Sequence, residues 1–74
     1  MVKSYLFDKQ TKEEIGHELW RLRHERHLYL DNVSAQTHIP RKIIDSMELG
    51  KAMKYGSLRR LMEFYGKRVK VILD

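Results

Sequence analysis

The sequence predicts a mainly α domain of four or five short helices built around a helix-turn-helix, with a short β-strand at each end. Three observations predict it. Apolar residues recur at intervals of three and four through most of the chain. Residues that start and stop helices punctuate that pattern, and Pro40, the one proline, separates two short apolar segments at the centre. At 74 residues there is room for a single domain, residues 1–74, with a small core.

The elements follow in order. Residues 2–7 mix Val, Tyr, Leu and Phe with Lys and Ser, a composition that suits a short strand. Thr11 and Glu14 then have the spacing of a capping box, so a first helix is expected from about Lys12. Ile15, Leu19, Leu22 and the stem of Arg26 share one face of it, and it ends near Arg26. Leu30, Val33 and Ser34 give a short second helix an apolar or small face, with Asp31 as its expected N-cap. Proline cannot continue that helix but suits the first position of the next. The third helix therefore starts at Pro40, points Ile43, Ile44 and Met47 inward, and is closed by Gly50. Ser57 is the expected N-cap of a fourth helix with Leu58, Leu61, Met62 and Tyr65 at helical spacing, and Gly66 ends it. Residues 68–73 alternate and are rich in β-branched side chains, which predicts a terminal strand.

Composition excludes several function classes. With no cysteine, disulfides, thiolate zinc sites and cysteine nucleophiles are ruled out, and a reducing cytoplasm is the expected location. The longest purely apolar run is three residues, Val71 to Leu73, too short for a spanning helix, and no secretory signal is legible, so no membrane partner is expected. His17, His24, His27 and His38 lack a third ligand at a fixed spacing, so no metal or other cofactor is expected. Catalytic triads and glycine-rich phosphate loops are missing from the sequence, and an enzyme is not expected. Trp20, Phe64, Tyr5 and Phe7 read most simply as core or interface residues. Charge is the informative property. Residues 1–39 carry six Lys/Arg against six Asp/Glu, whereas residues 40–70 carry nine against Asp45, Glu48 and Glu63. The basic surplus of the chain lies in its second half, which is the footprint of a polyanion binder.

Two short helices joined by a tight turn at residues 37–40 have the spacing of a helix-turn-helix. Leu22, Arg23, Glu25 and Leu28, then Val33 and Ser34, then Ile44, Met47, Glu48 and Gly50-Lys51, make residues 15–66 resemble the lambda-repressor-like, Xre/Cro/phage-repressor type of helix-turn-helix domain. In such a fold Ser34 is small because the third helix crosses close by, and Val33, Ile44 and Met47 fill the angle between the helices. The chain departs from the pattern at His27 and His38, both at positions often held by glycine and both wanting φ > 0. Leu30 stands where the family often has a phosphate-binding glutamine, and the loop from Gly50 to Ser57 is about two residues longer than usual.

The resemblance implies a sequence-specific reader of double-stranded DNA, acting as a small transcriptional regulator or antitoxin-like repressor by operator occlusion. Arg41, Lys42, Asp45 and Ser46 on the third helix then face base edges in the major groove. Lys51, Lys54, Tyr55, Arg59 and Arg60 face phosphates, and Arg23 and Glu48 form an ion pair joining helices one and three. A toxin or other protein partner is compatible with this reading. The terminal strands are expected to pair two chains into a homodimer, which would set two recognition helices about 34 Å apart on successive major grooves. Leu28 to Val33 with Thr37 to Pro40 are also similar to the N-terminal helix-turn-helix of RodZ-type cell-shape proteins, which implies the alternative of a protein-interaction module that does not bind DNA.

Overall fold

The computed structural model describes residues 8–67, which form four helices: α1 (Lys9–Glu25), α2 (Leu30–Thr37), α3 (Arg41–Glu48) and α4 (Tyr55–Phe64). The described fold is therefore all-α with four helices, which corrects the expected β-strand-flanked domain of four or five. There is no strand among the described residues, and the stretches 2–7 and 68–73, with the strand-mediated homodimer drawn from them, lie outside those residues. The physical reason is that the four apolar helix faces complete the core between them: Leu19, Leu22, Val33, Ile39, Ile44, Met47, Leu58, Leu61 and Tyr65 are buried together without a sheet. α3 packs chiefly on α1 and then on α2, while α4 closes over α2.

All four helix starts differ from expectation. α1 starts three residues before Lys12 because the Asp8 carboxylate accepts from the Thr11 backbone N–H at 2.8 Å, so Asp8 takes the capping role expected of Thr11. That bond to the ionised form holds the Asp8 carboxyl below its usual range. α2 is capped at Tyr29 rather than Asp31, and Asn32 Oδ1 accepts from the Tyr29 N–H at 2.8 Å. α4 begins at Tyr55, two residues before Ser57, with Lys54 at the cap and no capping side chain. The long loop thereby shortens to residues 49–54, its last residues becoming helix. Pro40 precedes α3 as its N-cap, one position earlier than expected.

Close approach between α1 and α3 depends on Gly16. A Cβ there would lie 2.4 Å from the Met47 carbonyl oxygen and 2.7 Å from that of Glu48. The tight approach of α1 to α3 is thus at Gly16, while on α2 the Ser34 hydroxyl donates to the Ile39 carbonyl at 2.6 Å and latches the turn. Gly50, at φ 76°, reverses the chain after α3 against the α1 backbone at Glu13. No helix among the described residues is long and apolar enough to cross a membrane.

Candidate nucleic-acid interface

The turn that orients α3 is fastened from both sides. His38 is left-handed at φ 61° and donates its N–H to the Ser34 carbonyl at 2.8 Å. The buried Thr37 hydroxyl donates to the Val33 carbonyl at 2.7 Å, and Arg60 Nη1 reaches from α4 to the Thr37 carbonyl at 3.3 Å. Ile39 is buried behind the turn, so α2 and α3 share one apolar seam through Val33, Ile39, Ile44 and Met47. This leaves α3 little freedom to rotate about its own axis.

Helical spacing of about 100° per residue places Arg41, Lys42, Asp45 and Ser46 on one arc of α3 and Ile43, Ile44, Met47 and Glu48 on the other. Burial follows that division. Ile44 and Met47 are fully buried and Ile43 is half-buried, whereas Arg41, Lys42 and Asp45 are exposed and Ser46 is half-buried. The Ser46 carbonyl accepts from Lys51 N at 2.9 Å, tying the basic loop to the end of α3.

Arg23 and Glu48 hold the inner edge of α3 against α1. Arg23 Nε donates to Glu48 Oε2 at 2.7 Å and Nη2 to Oε1 at 2.9 Å, a bidentate pair with side chains only 11% and 4% exposed. Nη1 donates to the Leu28 carbonyl at 3.0 Å, which fastens the α1–α2 connection as well. The bonds to Glu48 raise the Arg23 pKa further. Losing one partner strands the other charge, at a cost of about 3 to 5 kcal/mol.

The five residues expected at phosphates divide into two groups. Lys51 and Lys54 are exposed and have no acidic partner among the described residues. Tyr55 lies beside them at the start of α4, half-buried with its ring against the core. Arg59 is paired with Glu63 at 3.2 Å, and Arg60 braces the turn. These two arginines have local structural duties that sequence reasoning did not assign. A third partner was also missed: Asp31 at the start of α2 lies 3.4 Å from Arg41 at the start of α3. The Arg59–Glu63 pair has an i,i+4 signature in the sequence, whereas the other two contacts join separate elements and have none.

On the side of α1 away from the core, Trp20 is 43% exposed and stacks between His17 and His24, with ring centroids 5.8 and 4.0 Å away. Of the two roles expected for it, core or interface, Trp20 does not take the first. No group of three or more His, Cys, Asp or Glu residues able to hold a metal ion occurs among the described residues. No family model matches the chain, and no curated protein or solved structure matches it either.

Proposed function

We propose that the domain binds double-stranded DNA, with the outer arc of α3 in the major groove and the loop before α4 on the sugar-phosphate backbone. On this reading it regulates transcription in the cytoplasm by occluding the site it occupies. The observation that carries the reading is the division of α3: its inner arc is committed to packing and to the Arg23–Glu48 pair, while its outer arc presents Arg41, Lys42, Asp45 and Ser46. A short helix fixed by its neighbours and presenting polar groups at its N-terminal end is the shape that reads base edges. Support also comes from the charge surplus of residues 40–70 and from the helix-turn-helix resemblance of residues 15–66. Arg41 and Lys42 are donors to base edges, Asp45 accepts from a cytosine amine, and Lys51, Lys54 and the Tyr55 hydroxyl meet phosphates. Arg59 and Arg60 contribute field at the same surface.

A second reading, a protein-interaction module of the RodZ-like kind, is favoured by the exposure of Trp20, Tyr29 and Leu49. One experiment separates the two. Binding of the chain to a random-sequence duplex is measured over a series of salt concentrations. A DNA reader loses affinity along a straight log–log line whose slope counts several displaced counterions. Absence of measurable binding at low salt, or a flat response, would remove the DNA reading and leave the protein module.

A further inference from the structure

Arg41 opens α3 and Asp31 lies in the first turn of α2, ten residues earlier. Arg41 Nη1 and Asp31 Oδ1 are 3.4 Å apart, and the two side chains are 63% and 78% exposed. A pair this wet adds little to folding, so its effect falls on where the arginine points. The two residues line a shallow recess with Arg23, Tyr29 and Leu30. Arg23 is already committed to Glu48 and the Leu28 carbonyl. Among the described residues, Arg41 is thus the one cation in the recess with donors to spare.

A guanidinium has five N–H groups on a rigid plane. With Nη1 turned to Asp31, Nε and Nη2 remain as two parallel donors along another edge. Guanine offers two adjacent acceptors in the major groove, O6 and N7, whereas adenine places an amine donor beside its N7. A held two-donor fork fits the first and meets a clash of donors at the second. Released from Asp31, the long side chain can swing to a phosphate, which every sequence supplies.

Resting on the DNA reading above, we propose that Asp31 is a positioning residue that sets the specificity of Arg41 for guanine, although it touches no base itself. Its carboxylate orients the fork and, being negative near a polyanion, lowers affinity for every duplex in which Arg41 is not repaid by a guanine. The expected signature is two-sided. Asp31→Asn lowers discrimination and raises non-specific affinity together.

The test is selection of bound duplexes from a randomised library by the full chain, by Asp31→Asn, by Arg41→Ala and by the double variant, with thermal unfolding followed in parallel. The native chain enriches guanine at one position, and Arg41→Ala erases that preference. Asp31→Asn then reduces the preference about tenfold at that position alone, tightens binding to random duplex several-fold, and leaves the unfolding temperature unchanged. In the Arg41→Ala background the Asp31 change has no effect on preference. Tighter binding to all sequences with the guanine preference intact would mean that Asp31 acts only through its charge, and would overturn the proposal while leaving the DNA reading in place. Failure of the native chain to retain any duplex would overturn both.

Discussion

His38 and His27 hold φ of 61° and 54°, the two positive values among non-glycine residues described. A side chain in this region costs about 1 to 2 kcal/mol through contact of its Cβ with the following carbonyl. Histidine bears it better than a β-branched residue, but glycine removes it. His38→Gly is therefore expected to raise stability by about 0.5 to 1 kcal/mol, part of the relief being offset by the greater freedom of glycine in the unfolded chain. His38→Ala brings no such gain, and urea unfolding of the two variants checks the difference. Tyr65 gives a second residue-scale expectation. It is 3% exposed, its hydroxyl has no hydrogen-bond partner among the described residues, and burial pushes its pKa from 10 up to about 12. Because the folded state holds this proton more tightly than the unfolded chain, the associated stability is complete below pH 10 and is lost as pH rises towards 12. Tyrosinate absorbance should show one ionisation near pH 12 that vanishes in Tyr65→Phe. That variant, which removes an unpaired buried hydroxyl, should unfold no earlier than the native chain and gain up to about 1 kcal/mol.

At the scale of elements, the α1–α3 crossing is the contact that sets where α3 stands. Its two components differ in kind: Gly16 allows the approach, and the Arg23–Glu48 pair fixes the register. Gly16→Ala drives a methyl group into the last carbonyls of α3, and the backbones must separate to admit it. The expected loss is about 1 to 3 kcal/mol despite the higher helix propensity of alanine, and chemical denaturation measures it. The sequence carries a signal for this, an isolated glycine on the apolar side of a helix pattern, beside Ile15 and Leu19. Helix order, the central turn and the inner residues Val33, Ile44, Met47, Leu58 and Leu61 are legible because spacing alone reveals which residues share a face. Boundaries are less so. Asp8 and Thr11 both suit an N-cap, and only the bond from Thr11 N–H decides for Asp8; Lys54 has no capping side chain, so nothing local marks the start of α4. Tyr29 is an unusual N-cap, and its N–H is satisfied from three residues ahead by Asn32. The Asp31–Arg41 and Arg60–Thr37 contacts depend on how separate helices dock, which residue spacing does not encode.

Across the whole molecule, cations with and without an acidic partner are interleaved: among the described residues Lys9, Lys12, Lys42, Lys51 and Lys54 make no ion pair, and Arg59 pairs with Glu63. On α1, Arg21 bridges Glu18 and Glu25, and this pairing holds the Glu18 carboxyl below its usual range. Three of the twelve charged residues of the neutral half are thereby paired on α1. In the second half Lys42, Lys51 and Lys54 have no acidic partner among the described residues, and they belong to α3 and the loop that follows it. Of the basic surplus legible in the sequence, the outer arc of α3 carries Arg41 and Lys42 beside Asp45, and Lys51 and Lys54 lie in the loop that follows; the sequence alone does not reveal which of the arginines are tethered. The most direct test of the central claim, that this arc reads duplex DNA, is to compare Arg41→Ala with Lys54→Ala on a selected and a random duplex across a salt series. Arg41→Ala is predicted to weaken binding to the selected site by about 1 to 3 kcal/mol and to relax its preference, with the random duplex little affected. Lys54→Ala is predicted to weaken both duplexes alike and to make the salt slope shallower by about one unit. Equal losses from both substitutions on both duplexes would contradict the assignment of α3 as the reading helix.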